Sequence, residues 1–186
     1  MVERKTDQFG GIIMKLLIFL HGTTIMHRNA VGATHEERLR QVREGDKSIY
    51  NQTTYVPIGD AVQKLKKWKD QGAEIIYLSP LTKSKGVRDD ERAIDKYFQD
   101  EKEMLQRYSF PKGNILHRER DEQYKDIIER IAPEVLIEDD CESIGEDEIG
   151  IMHVKSEIKK RIKSIIIKEF GGIDNLPDDL DELIKL

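Results

Sequence analysis

The chain has 186 residues, 36% of them charged against 38% hydrophobic, with a net charge of −5. That length suits a single domain with its own core, and the acidic balance argues against a nucleic-acid footprint. No apolar run approaches the roughly 18 residues of a membrane span, and the lone cysteine, Cys141, allows no intrachain disulfide and fits a reducing, cytoplasmic setting.

Residues 1–13 read as an extension ahead of the first strand. They lack the apolar core and small-residue cleavage site of a signal peptide. Leu16–Leu20 is an apolar run of the kind buried on both faces of a sheet, and it leads into the tight turn His21-Gly22-Thr23-Thr24. A polar stretch over 27–57 follows, with one short helix expected at His35–Glu44. It is too long for a plain loop and reads as a small cap or lid over the strand ends.

Gly59-Asp60 opens a helix whose Ala61, Val62, Leu65 and Trp68 share a face, and Gly72 ends it. Glu74–Leu78 is the second strand, closed by Ser79-Pro80. A charged helix is expected from Val87 to Tyr97, extending toward Tyr108. Asn114–His117 is the third strand. Asp121 is the expected cap of a helix carrying Tyr124, Ile127, Ile128 and Ile131, which Pro133 stops. Val135–Glu138 is the fourth strand and runs into Asp139-Asp140. Ser164–Lys168 is the fifth, Gly171-Gly172 turns the chain, and Pro177-Asp178-Asp179 starts a last helix.

Strands alternating with helices at this spacing predict a three-layer α/β fold, a doubly wound, Rossmann-like parallel sheet with helices on both faces. The basic groups around Arg38–Lys47 and Lys155–Lys163 read as solvated helix faces. The five histidines have no zinc spacing, and neither Gly-Gly pair frames a dinucleotide or phosphate loop. Cys141 follows two carboxylates that raise its pKa, so it reads as a buried thiol rather than a nucleophile.

In such a sheet the carboxyl ends of the strands form the site. The groups there are His21-Gly22-Thr23, Ser79, Lys125 at a helix start, and Asp139-Asp140, with Glu142 a further candidate and Glu169 and Asp174, after the fifth strand, within reach of the same rim. In type and order they resemble the motifs of the haloacid dehalogenase-like (HAD-like) phosphatases. In that family an apolar strand enters D-x-D-G-T, a strand-ending Ser or Thr bonds phosphate, a Lys neutralises it, and an acidic pair holds magnesium. The passage V-Q-K-L-K-K-W-K-D-Q-G-A-E-I-I-Y-L-S also looks like the family's helix and second motif, and 27–57 falls where the family inserts a small cap.

Laying Gly22-Thr23 on the family's Gly-Thr puts Phe19 and His21 on the two aspartates. A phenyl ring has no lone pair to attack phosphorus, so the aspartyl-phosphate route is closed. The resemblance therefore implies a degenerate site. It would bind a small phosphorylated metabolite through Gly22, Thr23, Ser79 and Lys125, or a protein partner, with Mg2+ weakly held by Asp139 and Asp140. One of these two acids would face the site and the other would cap the following turn. His21 is the one remaining catalytic candidate, able to activate water beside magnesium. An assembly role through an edge strand or the lid is the third expectation.

Overall fold

The computed structural model describes residues 14–82, 91–119 and 121–186. In chain order these form β1 (Lys15–Phe19), β2 (Ile25–Met26), α1 (His35–Glu44), β3 (Val56–Pro57), α2 (Ala61–Asp70), β4 (Glu74–Thr82), α3 (Glu91–Arg107), β5 (Asn114–Arg118), α4 (Tyr124–Ile131), β6 (Val135–Asp139), α5 (Ser156–Lys159), β7 (Lys163–Ile167) and α6 (Leu180–Lys185). Short 3-10 turns link several of them. The expected helix start at Val87 and the segment 1–13 lie outside the described residues.

Five strands form one parallel sheet in the order β5-β4-β1-β6-β7. The chain starts in the middle, winds outward through β4 to β5, and returns to lay β6 and β7 on the other side. Right-handed crossovers in opposite directions must put their helices on opposite faces, and the core divides that way. Leu16 and Ile18 of β1 pack with Leu65 and Trp68 of α2, Met104 of α3 and Leu183 of α6. Leu17 and Phe19 point the other way, onto Ile127 and Ile128 of α4 and onto Ile151 and Val154 in the turns after β6. Period-two alternation along β1 thus serves two layers.

The strands expected from sequence are present with small shifts. β4 does not stop at Ser79-Pro80 but continues to Thr82, with its pairing to β5 irregular between Leu78 and Thr82. Pro80, which has no N–H for the ladder, sits inside that irregularity. Asp121 is not the cap of α4. Gln123 takes that place, and its backbone N–H donates to Asp126 in a reciprocal capping box. At the other end Ala132 takes a left-handed conformation (φ 45°) just before Pro133.

The 27–57 insert is pinned at its base by a ribbon that sequence periodicity does not announce. β2 and β3 pair antiparallel, Ile25 with Pro57 and Met26 with Val56. Between them α1 is capped by Thr34, whose hydroxyl accepts the Glu37 N–H, and is closed by left-handed Gly45. Leu39 packs with Met26, Ala30, Ile58 and Phe170 in a small separate core. The Arg38 guanidinium donates to the carbonyls of Ala30 and Phe170, and Arg43 donates to the Glu142 carbonyl. The insert is therefore fastened to the loops after β6 and β7.

Trp68 is wholly buried, and its indole N–H donates to the Pro177 carbonyl, tying α2 to the segment before α6. Trp68→Ala is expected to cost about 3–5 kcal/mol of unfolding free energy through the cavity it leaves. Trp68→Phe should cost about 1–3 kcal/mol by leaving the part-buried Pro177 carbonyl without this donor. Urea denaturation followed by circular dichroism measures both, and equal losses would show that the cavity adds nothing to the loss of the hydrogen bond.

Candidate functional site

The reversal of winding falls between β1 and β6, and a cavity of about 180 Å3 opens at the carboxyl ends of these strands. Phe19 from the end of β1, Asp139 from the end of β6 and Glu169 just after β7 line it from below, and His27, Val42, Ile49 and Tyr55 of the insert line it from above. The Phe19 ring meets Tyr124 at 5.0 Å between centroids. Two non-glycine residues on the rim, Cys141 (φ 49°) and Phe170 (φ 59°), hold left-handed backbone conformations, a form of strain that concentrates at functional sites.

The turn after β1 is fixed by contact with β6. Gly22 has φ 77°, and a Cβ there would lie 2.7 Å from the Asp139 Oδ2. Only glycine fits both conditions. The Gly22 carbonyl accepts the Phe170 N–H at 2.7 Å, which joins this turn to the chain leaving β7. The fully buried Thr23 directs its hydroxyl not outward but onto Asp139 Oδ2, at 2.8 Å. The N–H groups of Gly22, Thr24 and Ile25 are engaged inside the turn, on the carbonyls of Ile25 and Leu20. The turn therefore does not present the row of free donors that an anion nest requires.

Asp139 is the acid that faces the cavity. Asp140 turns aside, and its Oδ1 accepts the Glu169 N–H. Carboxylate oxygens of Asp139, Asp140 and Glu169 lie within 4.8 Å of one another. Asp139 also accepts the Cys141 N–H, and Glu169 accepts both the N–H and the hydroxyl of Ser143. Burial pushes the carboxyls of Asp139 and Glu169 above the usual range, and the Asp140 charge adds to the effect in both. Burial, with these acids around it, likewise pushes the Cys141 thiol up, so it stays protonated. Glu142 stands apart, in surface contact with His35 and Lys168.

Ser79 and Lys125 are not brought into this group. The Ser79 hydroxyl donates to Glu101 of α3 at 2.7 Å, inside the protein. Lys125 lines a second cavity with Arg118, Asp147 and Glu148, and the two cavities have only Tyr124 in common among their lining residues. Its ammonium contacts Asp126 at 3.3 Å.

Sequence reasoning missed Glu101. This carboxylate is wholly buried and accepts from Ser79, from His117 Nε2 at 2.9 Å and from His21 Nε2 at 3.2 Å. Burial opposes its charge, but the three donors prevail and hold its pKa at about 2. His21 also packs on Tyr55 of the insert, with centroids 4.5 Å apart. The expected catalytic histidine thus connects the insert to α3 through its ring and its Nε2. Glu138, buried against the N–H groups of Gly150 and Ile151, is shifted oppositely by burial, to about 7.

No protein-family model matches the sequence, and no curated protein matches it. Solved structures with a similar fold include a chain in the "Structure of Pnkp1/Rnl/Hen1 complex", with a TM-score of 0.52 and 13% identity over 90% of this chain and 49% of that one. A chain in the "Structure of the Pnkp1/Rnl/Hen1 RNA repair complex" gives a TM-score of 0.48 and 16% identity, over 89% and 45%. The present chain spans about half the length of either. At this identity the first likeness speaks for the fold alone.

The two shifted glutamates predict the pH profile of stability. A folded pKa near 2 for Glu101 adds stability above its ordinary 4.5, and that stability is lost as pH falls from 4.5 toward 2. A folded pKa near 7 for Glu138 favours its protonated form, so stability declines as pH rises from 4.5 through 7. Asp139 and Glu169 act in the same sense as Glu138. The thermal midpoint is expected to peak near about pH 5, and Glu101→Gln should flatten the acid limb. A midpoint that rises steadily to pH 8 would contradict the assignment for Glu138, and one that does not fall between pH 4.5 and 2 would contradict that for Glu101.

Proposed function

We propose that this chain is a HAD-like protein that has lost phosphoryl transfer and acts by binding at its strand-end cavity. Several placements support the reading. The central strand ends in the Gly-Thr turn, an insert follows that turn, and the acid pair ends the fourth strand of the parallel sheet. The observation that carries it is Phe19, the residue that the resemblance aligns with the attacking carboxylate, which ends the central strand and is packed against Tyr124. The loss extends past one residue. Ser79 donates to Glu101, Lys125 lies in the other cavity, and the Gly22 N–H and the Thr23 hydroxyl are directed into the fold. The groups that would hold a phosphate are thus scattered.

A second reading, magnesium-dependent hydrolysis with water activated by His21, is favoured by one observation. Three carboxylates, Asp139, Asp140 and Glu169, offer clustered oxygens of the type Mg2+ prefers. They fit such an ion in donor type, and it would neutralise their mutual repulsion. Against activation of water, the His21 Nε2 is engaged by Glu101. Action through a protein partner is compatible with the first reading, and the fold neighbour with the higher score comes from a multi-protein complex.

A phosphatase screen over a metabolite panel with Mg2+ decides between these readings. The wild type is expected to show no turnover above Asp139→Asn. The Phe19→Asp/His21→Asp double variant is expected to stay inactive too, because Ser79 and Lys125 remain elsewhere. Turnover by the wild type that disappears in Asp139→Asn would establish the hydrolytic reading and overturn the first.

A further inference from the structure

The sign of the cavity's lining is one-sided. No lysine or arginine lines it among the described residues, while the buried carboxylates of Asp139 and Glu169 do, with Asp140 beside them. Several donors around it are engaged by the protein. Tyr55 donates its hydroxyl to the Ile49 carbonyl, Ser143 donates to Glu169, the Cys141 N–H donates to Asp139, and the His21 Nε2 meets Glu101.

His27 adds an independent observation. It is 1% exposed, lines the cavity, and its Nε2 has no hydrogen-bond partner. Its Nδ1 lies 2.8 Å from the Ser48 Oγ, and that hydroxyl already donates to Asp46 at 2.6 Å. The hydrogen between His27 and Ser48 therefore comes from Nδ1. Burial lowers the His27 pKa and keeps the ring neutral, which leaves a lone pair on Nε2. The His27 Nε2 and the carboxylates of Asp139 and Glu169 are thus all acceptors, set among the rings of Phe19, Tyr55, Tyr124 and Phe170.

We infer that this cavity binds a small organic cation, a protonated amine on an apolar or aromatic body, with its ammonium against Asp139 and Glu169 and its body against the rings. The inference rests on the reading that the site does not process phosphate, and it names the ligand class of that same site. Two physical terms select the class. An ammonium supplies the positive charge that the cavity's own lining does not, and aromatic faces attract a desolvated cation. The volume limits the ligand to something smaller than a drug-sized molecule. A phosphate ester would bring a second set of negative charges against three carboxylates.

The test is a ligand titration of the full chain in metal-free buffer, followed by amide NMR shifts. The probes are phenethylammonium, 2-phenylethanol and phenyl phosphate, which share a ring and differ in charge. The amides of Cys141 and Ser143, which donate to the two acids, are the reporters. Phenethylammonium is expected to give saturable shifts there, with the alcohol about tenfold weaker or more, equivalent to about 1.4 kcal/mol, and phenyl phosphate silent. Glu169→Gln and Asp139→Asn should each weaken amine binding by a similar factor. If either variant fails to fold, the wild-type series of three charges still decides.

Equal binding of amine and alcohol would overturn the inference, since the rings alone would then account for binding. Absence of saturable shifts with the amine would overturn it too, while leaving the loss of phosphoryl transfer intact. Binding of phenyl phosphate without turnover would overturn the inference alone, whereas hydrolysis would overturn the reading beneath it.

Discussion

The handedness of the crossovers is the constraint from which the site follows. A chain that begins in the central strand and must turn right-handed at every crossover can cover both faces of its sheet only by reversing direction. Here the reversal leaves β1 and β6 side by side with their following segments on opposite faces. Beside Tyr124 of α4 and the turn after β6, three segments close the crevice above their carboxyl ends: the Leu20–Ile25 turn, the chain leaving β7 at Glu169-Phe170, and the insert. They are bonded to one another as well as to the sheet, through the Phe170 N–H on Gly22 and the Arg38 guanidinium on the Phe170 carbonyl.

What could be read from sequence was whatever is encoded locally. The apolar runs of the five parallel strands and the four-residue recurrence in α2 and α4 carry their own period, so their placement needed no knowledge of the rest. β2 and β3 carry none. Each is two residues long, and their pairing joins Ile25-Met26 to Val56-Pro57 across the whole insert. Asp121 looked like a cap because it stands before an apolar recurrence, yet Gln123 and Asp126 form a reciprocal pair nearer the first turn. Expected helix composition also hid Glu101. It sits in a run of charged residues, and only three partners from other segments, His21, Ser79 and His117, make it an interior group.

Lys125 shows the same limit at the site itself. Sequence order put a lysine at a helix start near the strand ends, but which residue meets the crevice depends on the rotation of α4 about its axis. Ile127 and Ile128 are fixed in the core, and this rotation brings Tyr124 to the crevice and sends Lys125 to the neighbouring cavity. The choice between Asp139 and Asp140 was open for a related reason. Alternation along a strand says that neighbours diverge, but not which one faces the site until the pairing of β6 with β7 is known. Once that register sets Asp140 against the Glu169 N–H, Asp139 is left to the cavity.

The two buried acid sites then differ in a way that residue type alone does not explain. Glu101 and Asp139 are both carboxylates with several donors, and both are nearly inaccessible to solvent. Yet Glu101 is held well below the ordinary carboxylate range while Asp139 is raised. Glu101 meets two imidazoles and a hydroxyl, with no other carboxylate among its named partners. Asp139 meets a hydroxyl and an amide, with Asp140 and Glu169 close by and no lysine or arginine among the described residues that line the cavity. Hydrogen bonds satisfy lone pairs, but they do not remove the repulsion between like charges. Glu101 is therefore a completed structural contact that locks His21, Ser79 and His117 together. Asp139 and Glu169 keep like charges beside them, and no lysine or arginine among the described residues lines the cavity between β1 and β6 where they meet.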